Sequence, residues 1–316
     1  MKLYYDIKDK PKLPQLIIYA IQQLLAIMAA TLVVPIIIGN GMQPSAALFG
    51  AGVGTLVYVA FTKANSPVFL GSSFAFLGSM GAAFAGAVSA QAGYAGIILG
   101  AIFAGLVYVA IALIVKFAGV NWIDKLMPKQ VIGPTVAIIG LSLAGNAVGD
   151  VLKFAAFDAA NGVYDMTLKG WMGLICALVT LFTVIICSTY GKKWGRLIPF
   201  IFGILGGYAV AGIMTIIGYN AGVDALKIID ITPFTALLTN GKVTLETFVS
   251  VPDFTFLTAI KGIGELTPNY IGTIAVAYIP VAFVVFAEHL ADHKNISSII
   301  EKDLLEEPGL HRTLLG

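Results

Sequence analysis

Two short stretches carry side chains that could do chemistry. The first follows an almost wholly apolar run from Tyr270 to Ala287 and reads Glu288-His289-Leu290-Ala291-Asp292-His293-Lys294. On a helix Glu288 and Asp292 stand at i and i+4, which puts both carboxyls on one face. If a membrane ended at Glu288, these would be residues of a solvated helix end. If the helix runs on to about Ile299, Glu288 is buried in apolar surroundings, where an ionisable group is costly and marks an ion or substrate path. A carboxyl placed there can take up and release a proton, which suits proton-coupled transport.

The second stretch is Asn65-Ser66-Pro67 followed by the Gly71-Ser72-Ser73 break and Phe74. Fourteen of residues 71–90 are Gly, Ala or Ser. Such a segment either packs closely against other helices through its small residues or breaks, with an extended piece from about Pro67 to Ser73 and a half-helix from about Phe74. Irregular backbone at membrane depth is tolerated only where it is buried in protein or lines a cavity, and the half-helix would aim free N–H groups at a ligand.

Metal and disulfide chemistry find little support. Cys176 and Cys187 lie eleven residues apart in one apolar run, about 16 Å of helical rise and beyond disulfide reach. The histidines, His289, His293 and His311, have no metal-ligand spacing to either cysteine. No cofactor is expected.

The elements that must position these residues follow from composition. Of 316 residues, 58% are hydrophobic and 11% charged, with mean hydropathy +0.91. A soluble domain has roughly 25% charged residues, so a soluble enzyme, a nucleic-acid binder and a disordered scaffold are excluded. A membrane span needs about 20 apolar residues, and eight apolar runs qualify: about 16–38, 45–62, 67–90, 94–117, 130–149, 170–189, 197–219 and 270–293. The N-terminus, polar through Lys12, enters a first run longer than a signal peptide's and without a cleavage site, so it reads as a retained helix. With a cytoplasmic N-terminus, only Lys153, Lys169, Lys227, Lys242 and Lys261 of the 19 Lys and Arg fall outside. That asymmetry supports both the orientation and the count. Gly50, Gly52, Gly54 and the Gly203/Gly206/Gly207 group read as places where helices approach closely. The 220–269 connection can hold a short amphipathic element, with Thr244 to Ser250 equally readable as a strand, and Leu304 to Leu315 reads as a cytoplasmic loop.

Several strings, in order along the chain, carry a resemblance. They are Gln22-Gln23-Leu24-Leu25-Ala26 with Ala30-Thr31 and Pro35; Pro67-Val68-Phe69-Leu70-Gly71-Ser72-Ser73-Phe74-Ala75-Phe76; Val131-Ile132-Gly133-Pro134 with Ile139-Gly140-Leu141-Ser142-Leu143-Ala144; Glu288-His289; and Pro308-Gly309-Leu310-His311-Arg312. Together they resemble the uracil/xanthine permeases of the nucleobase–cation symporter family, with the Gly-Ser-Ser-Phe-Ala-Phe string and acidic eighth span closer to the uracil branch.

The resemblance implies an all-α polytopic inner-membrane protein of two inverted seven-span repeats, with the third and tenth spans each a short strand plus a helix. It divides the chain into core spans 1–4 (1–119), gate spans 5–7 (120–219), an extracytoplasmic connection (220–269), and span eight with the tail (270–316). By family position Glu288 is the main carboxylate on the substrate, Phe74 the aromatic beside the base and Ala30 a first-span backbone contact. Ser72 and Ser73 complete the substrate set, and Glu288, His289 and Asp292 the proton-coupling set. The implied partners are a nucleobase, uracil first among them, a proton as coupling ion, the lipid bilayer and a second copy in a homodimer, with no nucleic acid. Two positions depart from the pattern: Gln22-Gln23 stands where Gln-His is common, so Gln23 cannot titrate, and Asp292 stands where some members have histidine. The chain reaches Gly316 where the family enters its ninth span, so it is expected to be the N-terminal part of a permease, and to bind substrate poorly and associate when alone. The rivals are a non-transporting fragment that associates with other membrane subunits, and an anion transporter of the same architecture, against which the carboxylate of Glu288 weighs.

Overall fold

In lipid a helix satisfies its backbone hydrogen bonds within itself, and the long apolar runs are helical accordingly. The computed structural model describes residues 5–158, 161–192, 195, 198–238, 242–247 and 251–316. In chain order its helices begin with α1 (Leu13–Ile38), α2 (Pro44–Thr62), α3 (Leu77–Ala85) and α4 (Ala90–Ala118). Next come α5 (Ile123–Leu126), α6 (Lys129–Ser142), α7 (Ala144–Leu152), α8 (Leu168–Tyr190) and α9 (Pro199–Ala221). The last are α10 (Thr232–Ala236), α11 (Ala259–Gly262), α12 (Pro268–Ile300) and α13 (Leu310–Leu315).

Among the described residues seven segments are long and apolar enough to cross a membrane: α1, α2, α4, α6 joined to α7 as Gln130–Leu152, α8, α9 and α12. The third run of the sequence has a different form. Its residues 67–73 are neither helix nor paired strand, Phe74–Phe76 make one turn of 3-10 helix, and α3 is nine residues long.

Start and stop signals are local. Proline opens α2, α9 and α12, where its missing N–H is no loss. The hydroxyls of Ser89, Thr167 and Thr267 accept from the backbone N–H groups of Ala92, Gly170 and Tyr270, at 3.0, 3.1 and 3.3 Å, each satisfying an orphan donor of a first turn.

Two compact units are distinguished, one of residues 1–16, 30–142 and 252–316, the other of 17–29 and 143–251. In the second unit α8 packs on α9, where Gly203 and Gly207 leave room for Thr180 and Val184. A two-stranded antiparallel hairpin, β1 (Ala156–Asp158) with β2 (Val163–Asp165), precedes α8 in the register Ala156↔Asp165. In the first unit α12 is the central element. Tyr270, Ile274 and Tyr278 cluster with Ala83 of α3, and Phe286, Ala287 and Leu290 with Ile111, Ala112 and Val115 of α4. Gly96 and Gly100 of α4 admit the Tyr270 and Tyr278 rings, which a Cβ at either position would meet.

Three expectations need correction. The segment 304–315 is no loop: after a kinked turn at Leu305–Gly309, α13 packs on α2 and α4. Leu304 and Leu310 are wholly buried and Leu314 nearly so, because the i, i+4 pair Leu310 and Leu314 gives this short helix an apolar face. The strand reading of Thr244 to Ser250 gives way to a single 3-10 turn at Leu245–Thr247, with 248–250 outside the described residues. Finally, Gly50 and Gly52 face open space, and the nearest atom to a Cβ at Gly54 is a Leu70 methyl at 3.8 Å.

The α4–α12 contact yields a paired test. Gly100→Ala should destabilise by about 1–3 kcal/mol, the usual cost of overpacking, whereas Gly105→Ala, with nothing near its Cβ, should cost nothing. Thermal melting of the purified variants in detergent reads the difference, and equal melting temperatures would refute it.

Candidate functional site

The site begins where α2 ends. Lys63 and Ala64 take positive φ of 53° and 55°, turning the chain out of the helix toward Pro67. The extended segment that follows is tied down to two helices. The Leu70 backbone N–H donates to Thr55 Oγ1 of α2 at 3.0 Å, and Ser72 Oγ donates to the Thr31 carbonyl of α1 at 3.2 Å. At Gly71 an added Cβ would sit 3.2 Å from Thr31 Oγ1, so the smallest residue lets the segment approach α1. Beyond the 3-10 turn, α3 is pinned to α12 twice: Ser79 Oγ donates to the Ala277 carbonyl at 2.7 Å and Tyr270 Oη to the Ala83 carbonyl at 2.6 Å.

Helix α12 runs 33 residues without ending at Glu288. Glu288 lies twelve residues before its last residue, half-buried, with Asp292 one turn further and exposed. A cavity of about 650 Å³ opens between the extended segment, α2, α4, α12 and α13. Ser72, Ser73 and Phe76 line it from the broken span, Tyr108 from α4, and Glu288, His289 and Asp292 from α12. The hydroxyls of Ser73 and Tyr108 are buried with no hydrogen-bond partner. A buried polar group left unpaired costs about 1–3 kcal/mol, so these two are open for a polar ligand or water.

Of the residues singled out from sequence, the structure brings Ser72, Ser73, Glu288, His289 and Asp292 to this cavity. Phe74 is half-buried and does not line it; the neighbouring aromatic that does is Phe76, stacked on Tyr278 with centroids 5.5 Å apart. Ala30 is exposed on α1 and lies outside the cavity lining. Sequence reasoning missed Tyr58, Tyr108 and His293, which also line the cavity. His293 could have been found, since it follows His289 by four residues, the same spacing that drew attention to Glu288 and Asp292. Among the described residues no group of three His, Cys, Asp or Glu is placed to hold a metal ion, and both cysteines are free.

A bundle of apolar helices with one broken span, a polar cavity beside the break and carboxyls within a long helix has the build of a membrane transporter. Comparison with known proteins agrees: a sequence profile described as the permease family, of the xanthine/uracil type, matches residues 14–316. The chain belongs to this family of multi-pass membrane proteins. It is 34% identical over 311 residues to a uracil permease of Bacillus caldolyticus, covering 98% of this chain and 62% of that protein. To uracil permeases of Bacillus subtilis (strain 168) and Escherichia coli (strain K12) it is 32% and 30% identical, covering 63% and 61% of their lengths. The chain thus spans less than two thirds of the relatives it matches.

The two phenols separate structure from site. Tyr270→Phe loses the bond to Ala83 and should cost about 1 kcal/mol, while Tyr108→Phe breaks no internal bond and should leave the melting temperature unchanged. A marked loss of stability in Tyr108→Phe would show that its hydroxyl serves the fold.

Proposed function

We propose that this chain belongs to a secondary active transporter, not an enzyme, that imports a nucleobase, uracil first among the candidates, together with a proton. The observation that carries the reading is the shared cavity: a carboxyl from the interior of α12 and hydroxyls from the broken span line one space. Uracil is a planar neutral ring whose edge alternates N–H donors and carbonyl acceptors. Glu288 accepts from a ring N–H, and the unpartnered hydroxyls of Ser73 and Tyr108 donate to ring carbonyls. The cavity lining includes two carboxyls and no lysine or arginine, which disfavours an anionic substrate.

Aromatic stacking on a base contributes about 1–3 kcal/mol and tolerates different rings. Phe76 offers such a face at the cavity, and Phe74 holds that place by family position, with Ala30 as the first-span contact. In this reading the N-terminus is cytoplasmic, 1–119 with span eight forms the core and 120–219 the gate of a seven-plus-seven fold, and the permease works in the cell membrane, singly or as a homodimer. Glu288 titrates during transport, with His289 and Asp292 beside it.

Labelled uracil uptake into vesicles carrying the chain extended to its relatives' length should follow an inward proton gradient and stop when the gradient collapses. Uptake that tracks sodium and ignores pH would remove the proton and keep the nucleobase. Glu288→Gln removes a hydrogen bond to a charged group and should weaken uracil binding about tenfold or more, while Asp292→Asn is milder. Equal, small effects of the two on a calorimetric titration would return both carboxyls to the solvated helix-end reading.

A further inference from the structure

Behind the two carboxyls lies a set of polar side chains that substrate binding does not use. His293 is 2% exposed, Tyr58 1% and Ser66 4%. Tyr58 Oη lies 2.8 Å from Ser66 Oγ and 2.8 Å from His293 Nε2, and His293 Nδ1 lies 2.8 Å from the His289 carbonyl. A carbonyl only accepts, so Nδ1 carries a proton. With the ring neutral, Nε2 is bare and accepts from the Tyr58 hydroxyl, whose oxygen accepts in turn from Ser66. A proton added at Nε2 reverses both bonds of the Tyr58 hydroxyl, while Nδ1–H still donates to the His289 carbonyl: Nε2–H donates to Tyr58, and Tyr58 donates to Ser66. The same heavy-atom positions serve both states.

Thr313 Oγ1 lies 3.0 Å from both the Leu310 carbonyl and His289 Nε2. With its one proton on the carbonyl it accepts from Nε2–H, which is the tautomer opposite to that of His293. The two rings are stacked, centroids 4.1 Å apart and planes within 13°. Two imidazolium ions at that separation repel strongly, so the pair titrates as a unit.

We propose that His289 and His293, linked through Tyr58 to Ser66, form a second proton site of the cavity that holds one proton and not two. The proposal rests on the proton-coupled reading above. The titratable groups facing the pair are Glu288 and Asp292 on α12 itself, Tyr58 on α2, and Tyr108 on α4, whose ring meets His289 edge-on with centroids 6.0 Å apart. Among the lining residues there is no lysine or arginine, so a protonated pair is the positive charge of the cavity. A proton leaving either carboxylate has a place to rest one residue along the same helix, and its arrival turns round the bonds that tie α12 to α2.

The chain has three histidines, so nitrogen-15 NMR of the histidine-labelled 316-residue protein in detergent resolves them all, with His311 as the reference outside the cavity. At high pH His293 should report Nδ1–H and His289 Nε2–H, and on acidification the pair should take up one proton in total. Tyr58→Phe deprives the buried Nε2–H of its acceptor, and a hydrogen bond to a charged group is about twice as strong as a neutral one. It should therefore lower the pair's proton affinity about threefold or more. Ser66→Ala should act in the same direction by less, and it supplies the readout should Tyr58→Phe fold poorly. Two independent protonations, or a titration unchanged in both variants, would overturn the site. Added uracil, tested on the chain extended to its relatives' length, separates this inference from the transport reading: a one-proton titration that ignores uracil there upholds the site and removes the base from this cavity.

Discussion

Everything in the first unit depends on how one short piece of backbone is satisfied away from a helix. Between Lys63 and Phe74 the chain gives up its i→i−4 bonds, and at membrane depth each group left unpaired costs several kcal/mol. The Thr55 hydroxyl answers part of that cost by accepting from the Leu70 N–H, and the Ser72 hydroxyl anchors the segment by donating to the Thr31 carbonyl. Because Thr31 is wholly buried, the tie to α1 is shielded from competition. The extended segment displaces what would have been two turns of helix, and the space so opened is the cavity.

The remaining wall of that cavity depends on α12, and α12 is held by close approach as much as by hydrogen bonds. Glycines of α4 let the tyrosine rings of α12 reach the α4 backbone, while Ser79 and Tyr270 stitch α3 to the same helix. A carboxyl at position 288 can thus sit inside the bundle without a cation beside it because its helix is positioned upstream, between residues 270 and 287, by contacts that do not involve the carboxyl. Stability comes from one stretch of the helix and chemistry from the next.

Much of this was legible in the sequence. Apolar run length gave seven of the eight expected runs as helices long enough to cross, six of them to within four residues, while α12 runs seven residues past its expected end and the 67–90 run is broken. The small-residue content of 71–90 with Pro67 before it left a close-packed helix and a broken span equally open, and the structure has the break. What composition could not reveal were elements whose existence depends on tertiary partners. The β1–β2 hairpin falls in a connection with little pattern of its own. The helix at Leu310–Leu315 is too short to form unaided and exists because α2 and α4 offer an apolar surface to Leu310 and Leu314.

The site shows the same limit at the level of single side chains. Glu288/Asp292 and His289/His293 are two i, i+4 pairs displaced by one residue, about 100° around the helix, and either could be the buried pair. Spacing alone favours the carboxyls only because carboxyls in apolar runs attract notice. The longer register decides otherwise: Ile274, Tyr278, Ala282, Phe286 and Leu290 form the buried stripe, and its continuation reaches His293, leaving Asp292 exposed. A charged residue at the end of an apolar helix therefore has to be placed by the stripe that precedes it. By that rule the imidazole, with Tyr58 and Ser66 as buried partners, is the group the fold encloses, and Asp292 is the one it leaves open to the cavity and to whatever enters it.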